Sequence, residues 1–210
     1  MPVIHLTPTI GIWKMEKSSE EMFSMIENKN LYATDLSQLK AEQRKKEWLA
    51  TRLLLREMLG FETNIYHQSS GAPFLPSEIK KNISISHTKG YVAIMLTDIE
   101  LATGIDIEYR SERVLKVRKR FMNPEEEDFI DPLHETEHLL ICWCAKETLY
   151  KIINRQEVDF CRHLHIQPFS YSKNGVFTVY ETHSSQRLSF KLMFQVKEDF
   201  VITWVLNERP

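Results

Sequence analysis

Apolar residues recur at helical spacing in two long stretches of the chain. From Ala41 to Gly60 they are separated by basic residues, and Gly60 is a typical helix stop. A second pattern predicts a longer helix, from about Thr136 to Asn154, that is apolar on most of its faces. We therefore expect one principal helix in each half of the chain.

Strand patterns follow each of these helices. Polar and apolar residues alternate from Asn82 to His87, and we expect the next two runs to complete an antiparallel meander. The predicted strands are 61–67, 82–87, 91–97, 101–108, 175–181, 188–196 and 200–206. Each half therefore reads as helices first and strands afterwards. The predicted fold class is α+β, with antiparallel strands and packed helices in one compact unit.

The composition is that of a folded globular protein. Of the 210 residues, 42% are apolar and 27% are charged, so the chain has enough apolar surface to offset the entropy of ordering. The longest strictly apolar run, Leu139 to Ala145, is far shorter than the ~20 residues that span a bilayer. The N-terminus shows no basic segment followed by an apolar one, as a secretory signal would. We expect no association with a membrane.

The net charge, the spacing of the glycines and the cysteine count exclude further classes of function. The 27 basic and 29 acidic residues give a net charge of −2, so nucleic-acid binding is not indicated. The six glycines are too widely spaced for a P-loop or a dinucleotide-binding motif, and any phosphate chemistry must use side chains and metal. Three cysteines without a CxxC pair favour a reduced, cytoplasmic protein.

Two carboxylates share one face of a predicted strand. In the stretch from Gly104 to Glu108, Asp106 and Glu108 point the same way with Cα atoms about 6.6 Å apart. Such a pair is costly unless a cation lies between its members, and Mg²⁺ prefers oxygen ligands of this kind. The alternative is an exposed strand face on which both acids are solvated.

The longer helix carries a second polar pattern. Trp143, Glu147 and Lys151 recur at every fourth position and share one face. An ordinary surface ion pair between Glu147 and Lys151 is the alternative, although most of this helix is apolar. A third candidate is the pair Ser86 and His87, at the end of a predicted strand, which can donate hydrogen bonds to an anion.

In combination, these stretches resemble the 4'-phosphopantetheinyl transferase superfamily, in its Sfp-like, two-subdomain branch. That family pairs a GxDxE strand with a WxxKEsxxK helix further along the chain. Here the segments 82–87, 104–108, 120–126 and 143–151 follow one another in the family's order. One departure is Ala72, where relatives often have lysine; its loss removes a phosphate contact.

The resemblance implies a role for each matching acidic residue. Asp106, Glu108 and Glu147 match the ligands of Mg²⁺, with Mn²⁺ as an alternative, and the metal would bridge to the diphosphate of coenzyme A. Glu126 matches a glutamate proposed in relatives as the base for the attacking serine. Its position after Asn123 and Pro124 also predicts a helix-capping glutamate. Both roles stay open.

The resemblance also implies the groups that bind the co-substrate, coenzyme A. Ser86 and His87 match the family's contacts with the coenzyme phosphates, and Lys151 matches a lysine near the diphosphate. Arg52 matches an arginine with a role at the 3'-phosphate. His87 and Lys151 are also the catalytic cations beside the metal.

The implied architecture is two similar α+β subdomains, 1–103 and 104–210, related by a pseudo-twofold with the active site in the cleft between them. The implied reaction moves 4'-phosphopantetheine from coenzyme A to a serine of an apo acyl or peptidyl carrier protein and releases adenosine 3',5'-bisphosphate. A monomer is expected. The basic segment 110–120 is a candidate docking surface for an acidic carrier. The sequence leaves open which carrier is used.

Three alternatives compete with this interpretation. His134, Glu135 and His138 match the HExxH pattern of zinc metallopeptidases, although Pro132 places His134 at or before the helix start. Cys161, His163 and His165 resemble a metal-binding fragment, with a structural loop as the favoured interpretation. A non-catalytic module that binds coenzyme A or a carrier is the third, and it would need a broken metal site.

Overall fold

Helices and antiparallel strands occur together in both halves of the chain, which confirms the predicted α+β class. The computed structural model describes residues 3–207, apart from the side chains of residues 5 and 6. It divides into two compact units, Met1–Glu100 and Leu101–Pro210.

The first unit is a four-stranded antiparallel sheet with helices and a small hairpin. Its elements are β1 (Val3–Thr7), β2 (Ile10–Lys14), α1 (Ser19–Ser24), α2 (Lys29–Gln38), α3 (Glu42–Leu59), β3 (Tyr66–His67), β4 (Pro73–Phe74), β5 (Lys81–Thr88) and β6 (Tyr91–Asp98). The sheet order is β1-β2-β6-β5, and β3 pairs with β4 separately. Helix α3 packs on β2 and β6 over a core that includes Trp13, Leu49, Leu53, Val92 and Ile94.

Helix α3 confirms the first helix prediction almost to the residue. Gly60 ends it in the left-handed region, at φ +83°, where a glycine avoids the cost that a Cβ would bring. Two other expectations for this half were wrong. The chain begins with the strands β1 and β2 and not with a helix. Strand β2 was missed because Ile10 to Trp13 are buried on both faces and therefore show no alternation of polar and apolar residues. The predicted strand 61–67 is limited to Tyr66–His67.

The second unit is a five-stranded antiparallel sheet covered by one long helix. Its elements are β7 (Ile105–Tyr109), α4 (Arg113–Val117), α5 (Pro124–Glu127), α6 (Glu135–Ile153), β8 (Leu164–Ile166), β9 (Asn174–Glu181), β10 (Ser189–Val196) and β11 (Phe200–Val205). The sheet order is β7-β11-β10-β9-β8. Helix α6 packs on β7 and β11. The predicted long helix and the three predicted C-terminal strands are confirmed to within one residue.

The predicted meander after Asn82 was wrong in its third strand. Strands β5 and β6 pair as expected, but β7 pairs with β11, which lies almost a hundred residues further along the chain. Local alternation predicts that a segment is extended and does not identify its partner, which depends on the sheet that buries its apolar face.

A buried carboxylate closes the turn between β9 and β10. Glu181 is 0% exposed and accepts hydrogen bonds from the backbone N–H groups of Ser184 (2.7 Å) and Leu188 (3.0 Å) and from the Ser184 hydroxyl. Burial by itself raises the pKa of a carboxyl, but these hydrogen bonds outweigh it and lower the pKa of Glu181 from 4.5 to about 2.

We expect Glu181 to stabilise the fold above about pH 4.5 and to lose this contribution as the pH falls toward 2, because its pKa is lower in the folded than in the unfolded chain. The contribution is on the order of 2 kcal/mol. Urea denaturation of Glu181→Gln at neutral and acidic pH should show a lower free energy of unfolding and a flatter acid dependence. The exposed Glu198→Gln is the control. An unchanged acid dependence in Glu181→Gln would contradict the assignment.

Candidate active site

One face of α6 lies against the two acidic residues of β7. The indole Nε1 of Trp143 donates a hydrogen bond to Oε1 of Glu108 (2.9 Å). The ammonium group of Lys151 donates to Oδ1 of Asp106 (2.8 Å). Glu147 lies between these two positions on the helix. The polar stripe therefore faces β7, and Lys151 pairs with Asp106, so the surface ion pair considered from the sequence is not what the structure shows.

The three carboxylates act on one another electrostatically. Burial, together with repulsion from Asp106 and Glu108, raises the pKa of Glu147 to about 7, although Lys151 opposes this. Within residues 3–207, no group of three or more His, Cys, Asp or Glu side chains is arranged to hold a metal ion. The residue types nevertheless suit a hard divalent cation, because Asp106, Glu108 and Glu147 would supply oxygen ligands and a cation would relieve the repulsion that raises the pKa of Glu147.

Gly104 allows β7 to begin directly against α6. A Cβ atom at this position would lie 2.9 Å from the backbone carbonyl oxygen of Thr148, closer than side chains approach in folded proteins. The next strand residues, Ile105 and Ile107, are 0% exposed and anchor β7 in the core. The glycine and the two isoleucines together set the register that turns the acidic residues of β7 toward α6.

A buried lysine holds α6 in this position. Lys146 is 0% exposed, and its ammonium group donates to the carbonyl oxygens of Phe121 (2.5 Å) and Phe160 (2.9 Å) and to Oε2 of Glu126 (2.6 Å). These three acceptors fill its three donor positions. The role of Lys146 was missed from the sequence. A signal was available: Cys142 and Leu149, its neighbours on the same helix face, are apolar, which predicts that this face of the helix is buried.

Glu126 is enclosed by protein contacts on both carboxylate oxygens. It is 2% exposed, Oε1 accepts from the backbone N–H of Ile166 (3.0 Å), and Oε2 accepts from that of Asn123 (3.1 Å) as well as from Lys146. The Asn123 side chain caps the Glu126 N–H in return. The predicted capping box is confirmed, and these contacts favour the structural role of Glu126 over the role of base.

In the first unit, Arg52 lines a cavity of about 440 Å³. It is 7% exposed, its Cζ lies 3.2 Å from the centre of the Trp48 ring, and Nη1 donates to the carbonyl oxygen of Trp48 (3.1 Å). Its Nε has no hydrogen-bond partner among the described residues. Burial lowers the pKa of Arg52 to about 10. A buried guanidinium with a donor to spare is suited to an anion in this cavity.

The two other predicted coenzyme residues have different environments. His87 lines the same cavity as Arg52, whereas Ser86 is buried at 6% exposure and is not among the lining residues. Neighbouring residues of a strand point to opposite faces, and both belong to β5. The first unit therefore places Arg52 and His87 in the lining of one cavity and leaves Ser86 buried outside that lining.

The HExxH histidines do not form a zinc site. His134 precedes α6 as its N-cap; its Nδ1 lies 3.1 Å from a carboxylate oxygen of Asp131 and its ring stacks on Tyr171. His138 is 0% exposed and its Nδ1 accepts from the backbone N–H of Asp131 (3.1 Å). Both side chains have structural partners, which argues against the metallopeptidase alternative.

The Cys161 fragment is likewise structural. The thiol donates to the backbone carbonyls of Lys119 and Met122. His163 Nδ1 accepts from the backbone N–H of Asp159 (2.9 Å). These contacts tie down the loop before β8, and they support the structural interpretation favoured from the sequence.

Comparison with known families agrees with this site. Residues 102–205 match the family model described as the 4'-phosphopantetheinyl transferase superfamily, and the matched segment contains Asp106, Glu108, Glu126, Glu147 and Lys151. The matched superfamily is one of transferases, and its members use coenzyme A and a divalent metal and act on carrier proteins. No curated protein sequence matches the chain. Among the described helices, none combines the length and apolar character needed to cross a membrane.

Proposed function

We propose that this protein, with a phosphopantetheinyl transferase match across its second unit, transfers 4'-phosphopantetheine from coenzyme A to a serine of an apo acyl or peptidyl carrier protein. The single observation that supports it best is the electrostatic repulsion between Glu147 and the two acidic residues Asp106 and Glu108, all three inside the matched segment. The proposal includes a monomer of the Sfp-like branch that acts in the cytoplasm.

The proposed metal ligands are Asp106, Glu108 and Glu147, with Mg²⁺ as the metal. A divalent ion held by these residues would neutralise charge on the diphosphate of coenzyme A, which is a main requirement of phosphoryl transfer. Lys151 and Trp143 each hold one oxygen of a proposed ligand. Their contacts orient the two carboxylates and limit their rotation before the substrates bind.

In the proposed reaction, the serine hydroxyl attacks the β-phosphorus of coenzyme A and the bond from that phosphorus to the bridging oxygen of the diphosphate breaks. Adenosine 3',5'-bisphosphate leaves with that oxygen, and the serine proton passes to a base, either Glu126 or water. Lys151, already beside the proposed ligands, supplies a positive charge to the diphosphate. A cavity of about 320 Å³ next to Glu108 is lined by Trp143, Arg113 and Arg120. Its position and charge fit an anionic substrate that approaches the carboxylate cluster.

The proposed coenzyme site includes Arg52 and His87, which line one cavity of the first unit. The buried guanidinium of Arg52 and its unpartnered Nε support a contact with a phosphate. Ser86 is buried and does not line this cavity, so no comparable observation supports a contact between Ser86 and a phosphate. The phosphate contact attributed to Ser86 stays a prediction.

The basic segment 110–120 supports the proposal of an acidic carrier as partner, but with fewer charges than its composition suggests. Arg110 pairs with Glu137, and Arg118 pairs with Glu127 and Glu135. The residues of this segment that form no ion pair with a described side chain are Arg113, Lys116, Lys119 and Arg120. We propose these four as the docking charges.

Intact-mass analysis tests the function. An apo acyl carrier protein incubated with this protein, coenzyme A and Mg²⁺ should gain one phosphopantetheine group, and the gain should disappear when the metal is removed with a chelator. A non-catalytic module would bind coenzyme A and leave the carrier mass unchanged. No mass gain across several carriers, without any binding of coenzyme A, would refute the family interpretation.

A further inference from the structure

Arg118 joins the basic segment 110–120 to two other elements of the second unit. Its Nε and Nη2 donate to the two carboxylate oxygens of Glu127, with Nε 3.1 Å from Oε1, and its Nη1 donates to Oε1 of Glu135 (2.6 Å). Glu127 is the last residue of α5, and Glu135 is the first residue of α6. One guanidinium therefore holds three parts of the chain together, in a geometry that the single ammonium group of a lysine does not reproduce.

The other end of the segment is also held by an arginine. Nη1 of Arg110 donates to the backbone carbonyl oxygen of Glu198 (3.1 Å), and Nη2 pairs with Glu137 in the first turn of α6. Between the two arginines, α4 packs on α6, and Val114 of α4 is 5% exposed. The segment is thus attached to α6 at both ends and in its middle.

The basic residues of the segment divide into two groups. The side chains of Arg110 and Arg118 are 31% and 29% exposed and carry the attachments. The docking charges, in contrast, are exposed residues of the same segment. Their arrangement in space depends on how the segment is held, because they form no ion pair of their own with a described side chain.

We propose that Arg118 is a positioning residue for carrier recognition, which acts through Glu127 and Glu135 to hold the docking charges in the arrangement that an acidic carrier meets. A loose segment would lose conformational entropy when the carrier binds, and a segment that is already held avoids this cost. Without Arg118, the two glutamates would also repel an acidic partner. This inference rests on the proposed function, in which a carrier protein is the partner of the segment.

Transfer rates measured by intact mass at increasing carrier concentration test this role. Arg118→Lys keeps the charge but removes the bidentate geometry, and should raise the KM for the carrier about tenfold. We expect kcat and the KM for coenzyme A to stay within about twofold of wild type, a split that a general loss of stability would not produce. Arg162→Lys is the matched control, because its pair with Asp159 is 3.9 Å long and its side chain is 83% exposed. It should change none of the three values.

Glu127→Gln tests the same contact from its other side. It weakens the bidentate pair and also removes a negative charge. Positioning predicts a higher KM for the carrier, whereas the charge change alone predicts an equal or lower one. In the free protein, amide hydrogen exchange across residues 113–117 should be faster than wild type in both Glu127→Gln and Arg118→Lys, because the segment is less firmly held.

Other outcomes separate this inference from the proposed function. A carrier KM that is unchanged in Arg118→Lys, or unchanged or lower in Glu127→Gln, would overturn the positioning role, and so would unchanged hydrogen exchange in both variants. The proposed function would stand if the wild-type protein still modifies the carrier. If the wild-type protein modifies no carrier, the proposed function fails and this inference fails with it. Glu127→Gln decides the matter if Arg118→Lys folds poorly.

Discussion

Glu147→Gln lowers the rate of carrier modification by about 100-fold or more, because it removes one of three proposed metal ligands and even partners of such ligands contribute 10–100-fold. The fold should be at least as stable as that of the wild-type protein. Burial and two neighbouring carboxylates disfavour the charge on Glu147, and the amide has the same shape without that charge. Loss of activity with retained stability is the expected signature.

Two measurements on this variant separate the roles that Glu147 could have. Intact-mass time courses give the rate of transfer, and calorimetric titration with Mg²⁺ or Mn²⁺ gives the metal affinity. Both should fall together. Glu125→Gln, an exposed glutamate in α5, is the matched control and should alter neither. A slow variant with wild-type metal affinity would show that Glu147 acts in some other way, and an unchanged rate would remove it from the site.

Lys146→Met destabilises the protein by about 3–5 kcal/mol, because it leaves the carboxylate of Glu126 buried without its cationic partner. Adding Glu126→Gln to this variant should recover much of that loss, since no unpaired charge is then buried. Urea denaturation of the two single variants and the double variant gives the coupling energy. Lys173→Met, at an exposed position, should change stability by less than about 0.5 kcal/mol.

The double variant also tests whether Glu126 is the base. If Glu126 only holds α6 in place, Lys146→Met with Glu126→Gln should transfer phosphopantetheine at a rate within about tenfold of wild type once it is folded. If Glu126 takes the serine proton, the folded double variant should be slower by about 100-fold or more. Near-additive stability losses in the double variant would instead show that the two residues are not coupled.

The sheet membership of β7 could not be read from local sequence. Alternation of Ile105, Asp106, Ile107 and Glu108 identifies an extended segment with one acidic face, and this was correct. Its partner, β11, begins at Phe200. Pairing across such a distance depends on which apolar faces are buried together, and periodicity within one segment carries no information about that.

The proposed site was likewise only partly predictable from the sequence. The resemblance of the GxDxE and WxxKE motifs to the transferase superfamily singled out Asp106, Glu108, Glu147 and Lys151. Their spacing predicted only that residues two apart on the strand, or four apart on the helix, share a face. The sequence left Glu126 with two roles. Its contacts with Lys146 and Ile166 involve residues twenty and forty positions away, and only the folded chain brings them together.

The sequence by itself determined the two principal helices, the α+β class and the shared faces of Asp106 with Glu108 and of Glu147 with Lys151, since each of these depends on spacing within a short segment. The tertiary structure alone decided that Lys146 is buried on Glu126, that Lys151 pairs with Asp106, and that Arg118 pairs with Glu127 and Glu135. The physical reason is that hydrogen-bonding, burial and charge compensation depend on which distant positions pack together. Those contacts form only when the sheets and helices have assembled.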